Sequence, residues 1–284
     1  MKKEKKNLPA SIHQKLLNIA RKENRPLNEL LQYYAIERFL FRLGSSKYRP
    51  HFILKGGQML KVWNAPLARP TIDIDLLGKV NNSIKNLENI VKECCLIELD
   101  DGIIFDLSSI RGETIRKNAE YQGVRINLKC FLGKIRLYLQ IDFGFGDTVV
   151  PYPIEIELPE LLDLGKPSLF GYTPESLIAE KFHAMVNLDM TNTRMKDFYD
   201  IWLISKNLKI DSQVLEQAII QTFKTRDTPI PLTTPIALKS AFFNNPEKQA
   251  QWQAFLRKNR IDLTIKLEEV AKEIRSFLTS VFKK

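Results

Sequence analysis

The chain has 284 residues, 44% of them hydrophobic and 27% charged, and its 43 Lys and Arg against 33 Asp and Glu leave a formal net charge of +10. That composition excludes a disordered tail, a collagen-like fibre and a disulfide-stapled miniprotein, and the length suits one large domain or two small ones. The cationic surplus favours a polyanionic partner such as nucleic acid, nucleotide or a membrane surface, although many basic proteins bind nothing acidic. The three cysteines, Cys94, Cys95 and Cys130, are odd in number and two are adjacent, which argues against a disulfide framework and for a reducing, cytoplasmic setting. Residues 1–6 are basic but run into Asn7-Leu8-Pro9, not into an apolar signal core. No window approaches the roughly 18 uninterrupted apolar residues of a membrane span, so no membrane contact is expected.

Residues 9–43 read as two helices broken at Glu23–Pro26. Leu16, Leu17, Ile19 and Ala20 form the apolar stripe of the first. Leu30, Leu31, Tyr34, Ala35, Phe39 and Leu40 form that of the second, with the intervening charges as a solvated face. His51–Leu54 is a short strand that runs through Lys55 into Gly56-Gly57. A helix follows from Gln58 to about Trp63, and Pro66 and Pro70 bracket a turn. Thr71–Leu77 alternates polar and apolar as a half-buried strand does. Residues 83–95 are helical in period. From Gly102 to Asp147 the pattern is β, with Gly123–Phe131 and Ile135–Phe143 joined at Leu132-Gly133-Lys134 as a hairpin, and Tyr152–Leu158 is a further strand. Beyond Pro167–Pro174 the spacing predicts helices over 174–188, 194–206, 211–223, about 234–243, 247–258 and 264–282. The organisation predicted is an N-terminal α/β domain over residues 1–167 and an all-helical domain over 168–284.

Asp73 and Asp75 are the sharpest chemical feature. Two apart on a strand, they share one face while Ile72, Ile74 and Leu76 point to the core. Side-by-side carboxylates repel each other unless a divalent cation lies between them, and magnesium favours one or two carboxylates plus substrate phosphates. A solvent-facing strand with two harmless acids is the bland alternative. Upstream, Gly56-Gly57 lets backbone N–H groups approach an anion at a strand-to-helix turn. The pair matches neither GxGxxG nor GxxxxGK[ST]. Asp142, at the end of an alternating strand, could supply a third carboxylate if that strand neighbours the Asp73 strand, and Asp147 is its less favoured substitute. Lys181 falls inside an apolar helical stripe of Leu177, Ile178, Phe182, Met185 and Val186. Asp197 and Asp200 share one face of a later helix with Ile201 and Ile204. A Lys181–Asp197 pair would either orient the ammonium towards phosphates or lock two helices as a plain salt bridge. His183 lies off the Lys181 face with no His/Cys cluster around it, so zinc chemistry has no support, and acyl transfer lacks a G-x-S-x-G.

Together the segments resemble the AbiEii/AbiGii toxin family of nucleotidyltransferases. The matching text is Phe52-Ile-Leu-Lys-Gly-Gly57, Arg69-Pro-Thr-Ile-Asp-Ile-Asp-Leu-Leu-Gly78, Gln140-Ile-Asp-Phe-Gly-Phe-Gly-Asp147, Ala179-Glu-Lys-Phe-His-Ala-Met185 and Thr193-Arg-Met-Lys-Asp-Phe-Tyr-Asp-Ile-Trp202. The resemblance implies a polymerase-β-like fold with a mixed sheet, a divalent metal (Mg2+ or Mn2+) and a nucleoside triphosphate as substrate. It implies an RNA acceptor, tRNA above all, and a toxin whose cognate antitoxin need not touch it. Carried over by position, Asp73 and Asp75, with Asp142, would hold metal. Lys55, Gly56, Gly57, Gln58, Thr71 and Lys181 would meet the nucleotide, and Asp197 would be the acid of the last motif. Family members often carry Ser or Thr where this chain has Gln58, replacing a phosphate-binding hydroxyl with an amide. Small-molecule or protein acceptors, a metal-dependent nuclease and a non-catalytic nucleic-acid-binding protein are the competing readings. The nuclease lacks a Glu-x-Lys on the strand after Asp142.

Overall fold

Local chemistry opens several elements. Asn7 caps Leu8–Lys22 (α1), its side-chain oxygen accepting from the Ala10 amide, and Pro26 precedes Leu27–Ser45 (α2). There follow Phe52–Lys55 (β1), Gln58–Val62 (α3), Asp73–Gly78 (β2), Ile84–Cys95 (α4), Ile103–Arg116 (β3), Gln122–Leu132 (β4), Ile135–Gly144 (β5), Ile154–Glu157 (β6) and Ser168–Gly171 (β7). This computed structural model describes residues 7–116, 122–261 and 264–282. The basic run at residues 1–6, and 117–121 within the predicted β region, lie outside the described residues. The chain divides into two compact units. One comprises Met1–Val62, Pro70–Phe145 and Glu155–Gly171, the other Trp63–Arg69, Gly146–Ile154 and Tyr172–Lys284.

The first unit is built on a seven-stranded mixed sheet of order β3-β4-β5-β2-β1-β7-β6. β3, β4 and β5 form an antiparallel meander; β5 runs parallel to β2, β2 antiparallel to β1, and β1 parallel to β7. The predicted hairpin joins β4 and β5, with Gly133 at φ 60 in its turn. β7 lies in a stretch without a strand signal, because four residues are too few to display a period. β3 lies within the predicted β region; its register against β4 shifts between Asp106 and Arg111, which breaks the alternation that would have set its bounds. β2 starts at Asp73, not Thr71. Ile72 therefore precedes the strand and is 60% exposed instead of facing the core, whereas Ile74 and Leu76 are buried.

α2 departs from the expected solvated charged face. Glu37, Arg38 and Arg42 are all buried. Arg42 grips Asp101 through Nη1 and Nη2 and donates from Nε to the Ile97 carbonyl, while Tyr34 donates to the Asp101 carbonyl at 2.7 Å. Arg38 donates to the carbonyls of Leu164 and Gly165, and Glu37 accepts from the Leu161 amide. These charges cross-link two loops to the helix, which a sequence period cannot distinguish from a wet face. Arg38 Nη2 lies 2.6 Å from Glu37 Oε1, but Oε1 accepts no aligned hydrogen bond.

The second unit carries Pro174–Leu188 (α5), Met195–Asn207 (α6), Ser212–Thr225 (α7), Ser240–Phe243 (α8), Pro246–Lys258 (α9) and Leu267–Phe282 (α10). Thr173, Asp211 and Asn245 cap α5, α7 and α9 with their side-chain oxygens. The helix expected over 234–243 is instead a 3-10 turn, Ile236–Leu238, followed by the single turn of α8. Phe198 stacks on Phe242 at 5.4 Å, and Tyr199 packs against Phe255 at 5.6 Å. The three cysteines are free thiols. Among the described residues no helix is long and apolar enough to cross a membrane.

Burial raises the Glu37 carboxyl to about 7 despite the attraction of Arg38. The folded chain therefore keeps a proton there that the unfolded chain releases near its ordinary value of 4.5. The contribution of this group to stability falls as pH rises through 7. Urea titrations of Glu37→Gln should show a flatter stability profile between those values than the parent; equal slopes would refute the assignment.

Candidate active site

Register assembles a polar face on the first unit's sheet. Asp75 lies opposite Lys55 of β1 on one side and Asp142 of β5 on the other. Asp142 faces Arg125 of β4, which faces Glu113 of β3. One residue pair further, Asp73 lies opposite Gln140, and Gln140 opposite Asn127. Residues paired in register share a face, so one polar row runs across five strands and a second across β2, β5 and β4. The interleaved residues, Ile74, Ile141 and Ile126, are buried on the other face. The strand adjacency that a third carboxylate requires is present, at Asp75 and Asp142. Arg125 chelates that carboxylate, Nε to Oδ1 at 2.8 Å and Nη2 to Oδ2 at 2.9 Å. Its charged form is favoured first by those hydrogen bonds and then by the charges of Asp142, Asp73 and Glu113.

The glycine turn meets the same face. Gly56 has φ +70, and a Cβ there would overlap the Asp75 carboxylate, so both backbone and space require glycine. Gln58 is buried and donates from Nε2 to the Asp73 carbonyl at 3.3 Å, tying the turn to β2. Its Oε1 is buried without a partner. Because α3 has only five residues, its macrodipole is small, and an anion at this turn would rely on the bare backbone of Gly56-Gly57. Thr71 is half-buried two residues before Asp73. Among the described residues no group of three or more His, Cys, Asp and Glu side chains is gathered as a metal cluster. The donor set of Asp73 and Asp75 still fits a hard cation completed by substrate phosphates, because such a site needs only one or two carboxylates.

The second unit holds a buried charge cluster. Lys181 of α5 lies 2.7 Å from Asp197 and 2.7 Å from Asp200, both on α6. Arg69 binds Asp200 through two parallel hydrogen bonds of 2.8 Å, and Arg194 donates to Asp197. Burial alone would push both carboxyls up. Lys181 and Arg194 hold Asp197 below its usual range, and Arg69 and Lys181 do so for Asp200. Burial likewise opposes the Lys181 charge, but the two aspartates outweigh it and raise its pKa. Asp147 bonds Arg226 at 2.8 Å. His183 is buried, shares a hydrogen bond with Thr228, and falls to about 4 through burial and then the Arg226 charge.

The sequence matches the family of the nucleotidyl transferase AbiEii toxin of type IV toxin–antitoxin systems over residues 38–278. The chain belongs to that family. It is accordingly a nucleotidyltransferase. The fold is similar to the crystal structure of JHP933 from Helicobacter pylori, with a TM-score of 0.51 at 16% identity over 90% of this chain and 92% of that one. A candidate nucleotidyltransferase of H. pylori aligns with a TM-score of 0.48 at 17% identity over 89% and 94% of the two chains. No curated protein matches the sequence significantly.

In the two units of this AbiEii-family chain, three residues of these polar clusters carried no role in the sequence reading. Arg69 stood in a quoted motif, but nothing local reveals that it reaches Asp200. Arg125 and Glu113 appear only when β3, β4 and β5 are aligned. Asp200, whose spacing from Asp197 was legible, proves to share Lys181 equally.

Gly56→Ala should cost about 2 kcal/mol or more and displace Asp75, which urea denaturation and loss of transfer activity would report. Asp200→Ala should cost about 3–5 kcal/mol, since it leaves Arg69 and Lys181 buried short of a carboxylate. A variant of parental stability in the same titration would show the cluster to be inert.

Proposed function

We propose that this nucleotidyltransferase moves a nucleoside monophosphate from a nucleoside triphosphate to the 3′-hydroxyl of an RNA, with tRNA as the favoured acceptor. The observation that carries the reading is the Asp73–Asp75 pair on one face of β2, with Asp75 directly against Gly56. The family match and the +10 charge support it. In the reaction the hydroxyl oxygen bonds to the α-phosphorus, the phosphorus–oxygen bond to the β-phosphate breaks, pyrophosphate leaves with the electron pair, and the hydroxyl proton passes to water.

Asp73 and Asp75 would hold a divalent cation, Mg2+ or Mn2+, with Asp142 as third carboxylate. Such an ion, when bound, neutralises phosphate charge and acidifies the attacking hydroxyl. Gly56 and Gly57 leave room for phosphate oxygens against the backbone, with Lys55, Gln58 and Thr71 flanking them. Arg125 holds Asp142 in orientation. Lys181 is assigned to the charge of the triphosphate, and Asp197 to fixing its ammonium. The toxin acts in the cytoplasm, and its antitoxin need not bind it.

Each α-labelled triphosphate is incubated with Mg2+ and total RNA. Lengthened, labelled RNA is the expected product, and Asp73→Asn should lower its yield by roughly 10²–10³-fold or more with an unchanged melting curve. Full transfer by that variant would overturn the metal assignment. Label in protein or a small molecule would replace the acceptor, and shortened RNA would point to a nuclease.

A further inference from the structure

We infer that the polar stripe of β5 running outward from Asp73 is the track for the single-stranded 3′ end of the acceptor, an inference that rests on the RNA reading above. β2 covers β5 only from Gln140 onward, where Asp73 is its first partner. The earlier residues of β5 therefore have an edge that β2 does not pair. An open groove of about 510 Å³ lies there, bounded by Asn28 and Gln32 of α2, Asp73, Asn127, Tyr138 and Gln140.

The β5 alternation sets the order of contacts. Leu137 and Leu139 are buried, while Arg136 and Tyr138 are exposed, Tyr138 by 57%. Gln140, Tyr138 and Arg136 thus follow one another on one face, each about 6.8 Å from the next, which is close to one nucleotide step. Lys129 lies opposite Tyr138 in register, and Lys134 is exposed in the hairpin turn beyond. The stripe therefore passes from carboxylate to amides, to an exposed aromatic ring, to cations.

Charge orients the occupant. The groove is lined by Asn28, Gln32, Asn127 and Gln140 and holds no Lys or Arg, and its Glu29 is already paired with Arg25, so it offers a phosphate no cation and suits a neutral group. The terminal ribose and base fit that end, with amide edges for hydrogen bonding and Tyr138 for stacking. The upstream phosphates then fall beside Lys129, Arg136 and Lys134. Asp73 belongs both to the groove and to the metal-holding pair, so the terminal hydroxyl ends where the chemistry is proposed. A protein strand adding to the free edge is disfavoured, because Gln32 Nε2 already donates to the Tyr138 carbonyl at 2.6 Å.

The test uses RNA oligonucleotides ending in 2-aminopurine, whose fluorescence is quenched on stacking. The full-length protein should quench the terminal base. Tyr138→Ala should abolish the quench and weaken RNA binding roughly 5- to 150-fold, with the triphosphate KM unchanged, and Tyr138→Phe should restore both. Arg136→Ala should lower the salt slope of RNA binding by about 0.7 without altering the quench. If Tyr138→Ala extends, binds and quenches RNA as the parent does, the track is wrong while the RNA reading stands. If the parent neither binds nor extends RNA, the acceptor reading fails and the track falls with it.

Discussion

The Asp75 carboxylate rests directly on the Cα of Gly56, and the rest of the candidate site depends on that contact. It forces glycine at a position already at positive φ, fixes how β1 delivers the turn, and brings bare backbone to the acidic face of β2. Any side chain at position 56 would displace the acid or the turn. Once β1 and β2 are locked in this register, the parallel pairing of β2 with β5 sets Asp142 beside Asp75. The antiparallel meander then brings Arg125 and Glu113 into the same row.

Four of the buried aspartates are each matched by a cation. Asp142 is matched by Arg125, Asp101 by Arg42, and Asp197 and Asp200 by Lys181 flanked by Arg194 and Arg69. An unpaired buried charge would cost several kcal/mol, so these partners are obligatory even where the pair adds little net stability. Asp73 and Asp75 are only partly buried, and Asp73 borders the groove. Carboxylates left within reach of solvent and substrate are the ones suited to exchange a partner during a reaction.

The helices of the second unit were legible because amphipathic period and caps agree there: α5 matches its predicted span, and α6, α7 and α9 differ by a residue or two. The β4–β5 hairpin was legible from alternation and its glycine turn. α2 was read correctly as a helix and wrongly as to its charges, since Glu37, Arg38 and Arg42 are paired with loops far away in sequence. β7 carried too few residues for a period, whereas β3 fell inside the stretch read as β from Gly102, with the register shift leaving its own bounds undrawn.

By itself the sequence determined the residue types of the site, the shared face of Asp73 and Asp75, and the strand–glycine–helix turn before them, because strand alternation and glycine's backbone freedom are local properties. Only the tertiary structure decided which acids receive which cations. That choice depends on strand order and register, which bring Arg125 to Asp142, and on chain reversals that carry Arg69 to Asp200. Pairings of that kind leave no local period, because the partners lie 17 and 131 residues apart.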